Sequence, residues 1–151
     1  MPEIKHCTEI KLVGIRMLCQ GDEYLEEIPK ASRQLSERSD EITNVVNRSL
    51  QHGAFVVDNH SEKDDGYWVC VEVSDYENIP SDMVSLTIPS QRYAVLRHKG
   101  SNEKIREAYS ELHQWIQENG YKRLTDKGHL EVFHTWTDSH DIDVELMDTI
   151  G

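Results

Sequence analysis

Apolar positions along this chain switch between strand spacing and helix spacing, and the switches mark its elements. Residues 9–19 are rich in β-branched and apolar side chains and read as a strand. Ile28, Ala31 and Leu35 follow at helical spacing beside Pro29, whose missing N–H costs least near a helix start. Ile42, Val45, Val46 and Leu50 keep that spacing after Asp40, which predicts a second short helix stopped by Gly53. Residues 54–58 read as a short strand, 59–65 as a polar hairpin loop, 67–73 as a strand, and 75–82, with Pro80, as a connection.

The second half repeats the order. Residues 91–98 form a strand ending at Lys99-Gly100. Ser101 or Asn102 caps the next helix, and Glu103 suits its first turn. Ile105, Ala108, Tyr109, Leu112, Trp115 and Ile116 form one apolar stripe, and Gly120 is the stop. Strands at 130–136 and 142–150 are joined by the polar turn 137–140. Each half reads strand, helix, strand, strand. The expected fold is therefore α+β, one domain of two pseudo-repeats, about 4–75 and about 84–151. The duplicated β-α-β-β units would form a pseudo-twofold antiparallel sheet with helices on one face and a ligand groove on the other.

A glutamate inside an apolar strand is costly to bury, and two strands carry one in a Val-Glu context: Val71-Glu72-Val73 and Val144-Glu145-Leu146. Strand alternation puts Trp68, Cys70 and Glu72 on one face of the earlier strand. It puts Glu145 and Met147 on the matching face of the later one, with Val144 and Leu146 turned to the helices. Aromatic rings, a flexible thioether and a desolvated carboxylate suit a large apolar cation. A solvated outer sheet face is the competing reading. Tyr109 and Trp115 lie on the helix stripe and read as core, and Trp136 ends a strand. His129 and His134 have no metal-ligand spacing and read as surface or packing residues.

Composition narrows the field. The 151 residues carry 16 Lys and Arg against 28 Asp and Glu, a net charge of -12. Such a surface repels phosphate backbones, so direct nucleic-acid binding is not expected. No apolar run is long enough to span a bilayer, and the first residues lack a signal-peptide pattern, so a cytoplasmic protein with no membrane contact is expected. Cys7, Cys19 and Cys70 are odd in number and widely spaced, which favours reduced thiols and offers no zinc pattern. No cofactor motif is present.

Ile88-Pro89-Ser90-Gln91-Arg92-Tyr93-Ala94-Val95-Leu96-Arg97-His98-Lys99-Gly100, the helix after it and the terminal Val144-Glu145 strand resemble the GyrI-like small-molecule-binding domain, which also serves as the effector module of some AraC-type and MerR-type bacterial regulators. Ile28-Pro29-Lys30 and the strand from Gly66 to Val73 resemble its first half. The resemblance implies ligand binding in a groove between two β-α-β-β units, with a glutamate of the last strand, here Glu145, meeting lipophilic cations among aromatic rings. It adds Tyr93, Phe133 and Trp136 to Trp68, Cys70, Glu72 and Met147 as pocket candidates. Phe133 stands where the family often has tyrosine, which removes a hydroxyl useful to an enzyme.

Three functions follow. The first is a stand-alone binding protein for a lipophilic, cationic small molecule. The second is a hydrolase of electrophilic cyclopropane-bearing molecules, with Glu145 as base. The third is an acidic protein-interaction module of the gyrase-inhibitor kind. A regulatory role would call for a separate DNA-binding partner, and a protein partner or homodimer stays open.

Overall fold

The computed structural model describes residues 2–18, 23–57, 65–138 and 140–151. Cys19 and nearly all of the polar loop expected at 59–65 lie outside the described residues. One antiparallel sheet contains β1 (Glu3–Cys7), β2 (Ile10–Met17), β3 (Gln51–Val56), β4 (Tyr67–Val73), β5 (Val84–Ile88), β6 (Gln91–Gly100), β7 (Gly128–Thr135) and β8 (Ile142–Ile150). Two helices, α1 (Tyr24–Arg38) and α2 (Ile105–Glu118), cover one face. The strand order, β1-β6-β8-β7-β3-β4-β2-β5, is unchanged when the first four strands are exchanged for the last four. This is the α+β, duplicated β-α-β-β fold that the apolar pattern predicts, and its pseudo-axis passes between β3 and β7.

The pattern did not predict β1 and β5. Each is a short edge strand that crosses to the other half: β1 pairs with β6, and β5 with β2. β1 has only Ile4 and Cys7 as apolar positions, and β5, although Val84, Leu86 and Ile88 alternate with Ser85 and Thr87, is only five residues long and merges with the connection after Pro80.

The shared Val-Glu context makes Glu72 and Glu145 look like counterparts in the two repeats, but the register does not pair them so. The turns Thr8-Glu9 and Pro89-Ser90 each lead from an edge strand to the next strand, which makes Ile10 the counterpart of Gln91. Lys11 then pairs with Val73, as its counterpart Arg92 pairs with Ile150. Glu72 thus corresponds to Thr149, and Trp68 to Glu145. The Val-Glu match is local sequence coincidence; the duplication lies in the topology. Following the ladders inward, the pairs His52–Cys70 and Leu130–Met147 make Gly53 the counterpart of Glu131. Those two residues face each other on the pseudo-axis itself.

The helix expected after Asp40 is reduced to a single 3-10 turn, Ser39–Glu41. Residues 44–46 bond to the end of β4 instead of continuing a helix. Val46 N–H donates to the Glu72 carbonyl, Ser74 N–H donates to the Asn44 carbonyl, and Val45 bridges Val73. Asn44 sits at φ 62°, a left-handed conformation that breaks a helix and that asparagine tolerates. Gly53 belongs to β3 and stops nothing. Pro29 lies inside α1, which begins at Tyr24 with Glu26 and Glu27 in its first turn, where carboxylates suit the helix dipole.

Side-chain alternation divides the interior. On the helix side, Val13, Val69 and Val71 pack under Ala31 and Leu35 of α1. Leu96, Val144 and Leu146 pack under Leu112 and Ile116 of α2. On the opposite face, Leu12, Trp68 and Cys70 from the first half meet Ile88, Tyr93, Val95, Leu130 and Met147 from the second, all buried. That face is a closed core and not the expected open groove. The crossing edge strands bring Cys7, Leu86 and Ile88 over it.

Candidate functional site: the groove between the helices

The groove lies on the helix side. Its floor is the helix-facing row of the two central strands, where Gln51 pairs with Phe133, Gly53 with Glu131, and Phe55 with His129. At one end a cavity of about 450 Å³ opens between α1, the turn into α2 and the β7–β8 end. Ile28, Pro29, Phe133, Trp136 and Ile142 give it apolar walls, and Ser32, Arg33, Ser36, Asn102 and Thr137 supply polar groups. The other end is filled: Phe55 stacks 6.0 Å from Tyr67 and 5.7 Å from His129.

Glu131 occupies the centre of the floor and is 7% exposed. The Tyr67 hydroxyl, from β4 of the first half, donates to Glu131 Oε1 at 2.5 Å, and the Tyr109 hydroxyl, from α2 of the second, donates to Oε2. Burial raises the Glu131 carboxyl above its ordinary value, only partly opposed by the two hydroxyls. Burial and the neighbouring carboxylate push both tyrosines up, so they keep their protons. No cation pairs with Glu131 among the described residues. The arrangement depends on Gly53: a Cβ there would stand 1.7 Å from Tyr67 Oη.

A second buried carboxylate lies under α2. Asp148, 1% exposed, is 2.8 Å from Arg123 Nε, His113 Nε2 and His129 Nδ1. Burial alone would raise it, but the imidazoles of His129 and His113 and the Arg123 guanidinium hold it below the ordinary carboxylate value. Asp148 is thus paired with the Arg123 guanidinium, whereas among the described residues Glu131 has only neutral donors.

The residues singled out from the sequence fall into three places. Trp68, Cys70, Tyr93 and Met147 come together in the closed core on the face away from the helices. The Arg16 guanidinium covers the Trp68 ring at 4.8 Å, and Gln91 donates to the Tyr93 hydroxyl at 2.7 Å. Glu72 and Glu145 lie on the same face at its polar end. Glu145 bonds to Lys5 (3.1 Å) and His134 (2.8 Å). Burial opposes its ionisation, but those two partners hold its carboxyl below the ordinary value. Glu72, raised by burial, stands 4.0 Å from His52, which burial pushes down to about 4 and so keeps neutral. Phe133 and Trp136 line the cavity in the groove, and Trp136 Nε1 donates to Ser36 Oγ at 3.2 Å.

Sequence reasoning missed Glu131, although Leu130-Glu131-Val132-Phe133 carries the same signal, a carboxylate inside an apolar strand, as Glu72 and Glu145. The hydroxyl that Phe133 lacks is present in the groove after all, supplied by Tyr67 and Tyr109.

The chain belongs to the family of GyrI-like small-molecule-binding domains, whose model matches residues 1–147. No curated protein sequence matches it. Among solved structures it is similar to SAV2435 bound to tetraphenylphosphonium, with a TM-score of 0.75, 14% identity, and coverage of 100% of this chain and 94% of that one. It is also similar to the C-terminal domain of EcmrR, with a TM-score of 0.70, 20% identity, and coverage of 100% and 97%. A hydrolase from Listeria innocua shares the fold at a TM-score of 0.59 and 11% identity, with coverage of 99% and 91%. No helix among the described residues is long and apolar enough to cross a membrane.

Proposed function

We propose that this protein binds a lipophilic cation in the groove between its helices. The body of the ligand rests against Ile28, Pro29, Phe133 and Trp136, and its charge faces Glu131. The observation that carries this reading is a buried carboxylate held by two hydroxyls and, among the described residues, by no cation, beside an apolar cavity. A protein that buries an ionisable acid without a counter-charge gives up stability. A cation entering the cavity recovers part of it. Glu145 is a weaker candidate, because Lys5 already neutralises it and His134 bonds to its other oxygen. The tetraphenylphosphonium in SAV2435 is a ligand of the same chemistry.

The test is calorimetric titration of tetraphenylphosphonium, with neutral triphenylphosphine oxide as control. Saturable binding of the cation in preference to the neutral compound supports the reading; equal affinity, or no binding of either, sinks it.

A second reading is favoured by the two proton-bearing hydroxyls on one raised carboxylate, an arrangement suited to acid–base work on an electrophile. It requires an electrophilic cyclopropane to be consumed by the protein and spared by Glu131→Gln. A substrate that is bound and released intact leaves the binding reading alone.

A further inference from the structure

The cavity that would receive a cation also carries a positive charge with no protein partner among the described residues. Arg33 lines it from α1, and its guanidinium has no ion-pair or hydrogen-bond partner among the described residues. Lys30 and Glu37 share the adjoining surface depression with Arg33, but Lys30 is paired with Glu27 at 3.2 Å and Glu37 does not bond to Arg33. An unpartnered guanidinium at this place weakens the binding of any purely cationic ligand, so a plain cation is not the best fit to the cavity.

Ser36, one helical turn along the same face, points the same way. Its Oγ accepts from Gln51 Nε2 at 3.0 Å and from Trp136 Nε1 at 3.2 Å. Both donors lack a lone pair to offer in return, so the two contacts occupy both acceptor positions of the hydroxyl. Its own proton is left without an acceptor among the described residues, at the wall of the cavity. The Asn102 side chain adds an amide to the same wall. A guanidinium, a hydroxyl proton and an amide together suit an anionic oxygen group. Glu131 lies deeper, one side-chain row along β7 from Phe133, at roughly 7 Å.

We infer that the ligand is amphoteric: a lipophilic cation that also bears a carboxylate or similar oxyanion, its cationic end toward Glu131 and its anionic end on Arg33 and Ser36. The inference rests on the cation-binding reading above and narrows it to zwitterions.

The test compares carboxybutyl-triphenylphosphonium with its methyl ester, which keeps the cation and removes the anion. Each is titrated calorimetrically into wild type, Arg33→Gln and Glu131→Gln. Wild type is expected to bind the acid roughly tenfold tighter than the ester, the scale of one charge-assisted contact. Arg33→Gln should abolish that preference by weakening the acid and tightening the ester, and Arg33→Lys should restore part of it. Arg33 is exposed, so the fold survives its replacement. Equal affinity of acid and ester for wild type, or an equal loss of both in Arg33→Gln, overturns the amphoteric ligand and leaves cation binding standing. Failure of both compounds to bind wild type, or indifference of both to Glu131→Gln, overturns the cation reading and the inference with it.

Discussion

Removing the Tyr67 hydroxyl tests whether the centre of the groove is built around an ionised carboxylate. Tyr67→Phe deletes one oxygen and leaves the ring stacked on Phe55 at 6.0 Å. The lost contact is a 2.5 Å hydrogen bond to a buried acid. Bonds to charged groups contribute about 1.5–3 kcal/mol, against about 0.5–1.5 kcal/mol between neutral partners. The hydroxyl of Tyr109 on the other oxygen keeps Glu131 from being stranded, so a loss of about 2 kcal/mol is expected. Urea unfolding followed by tryptophan fluorescence reads this directly, since Trp68 and Trp136 lie on opposite faces of the sheet. The decisive arm is the double-mutant cycle: in a Glu131→Gln background the same tyrosine change should cost no more than a neutral bond, about 1 kcal/mol or less. An equal cost in both backgrounds would mean that the hydroxyl serves packing alone, and that Glu131 is not an anion held by Tyr67.

Three further outcomes follow from the same geometry. Gly53→Ala places a methyl 1.7 Å from Tyr67 Oη, so it should destabilise by at least the cost of Tyr67→Phe, where alanine in an open strand position would gain about 0.5–1 kcal/mol; chemical unfolding distinguishes the two signs. Because burial raises Glu131 above its ordinary value of 4.5, this group contributes stability below that pH and loses it as pH rises through the folded value; cation affinity should climb over the same window while a neutral analogue stays flat in parallel titrations. Asp148 has the opposite sign: its depressed carboxyl contributes stability above its ordinary value of 3.8 that is lost as pH falls through the folded value, so Asp148→Asn should flatten the acid limb of a melting-temperature profile and cost about 2–4 kcal/mol at neutral pH.

The fold was legible because its central elements are strongly periodic. The stripe ending at Ile116 and the alternation of β4 and β8 fixed the helices and the faces they cover. What the pattern could not show was the closure of the second face. That depends on β1 and β5, five-residue edge strands, crossing between halves, and the partner of a strand is not written in its own alternation. The site was less legible for the same reason. Trp68 and Glu145 do share a face, as alternation required, but that face is packed shut, and the groove opened on the other side. Glu131 lay within reach of the argument used for Glu72 and Glu145. Its Leu-Glu-Val context lacks the Val-Glu match that Glu72 and Glu145 share, a match that the register does not support as a repeat. Gly53 had no local mark at all: its role is to leave room for Tyr67, a contact fixed only when β3 and β4 pair.

The central claim is that the ligand's charge is met by Glu131 in the groove and not by Glu145 on the opposite face. Side-by-side titration of tetraphenylphosphonium into Glu131→Gln and Glu145→Gln tests it most directly. A charge roughly 7 Å from Glu131, one row along β7, interacts with it by about 2 kcal/mol at an effective dielectric of about 20. Glu131→Gln should therefore weaken the cation by about 30-fold, and Glu145→Gln should leave its affinity within about twofold of wild type, since Lys5 already neutralises that carboxylate and His134 bonds to its other oxygen. A loss confined to Glu145→Gln, with Glu131→Gln binding as wild type does, would contradict the account and return the site to the face away from the helices.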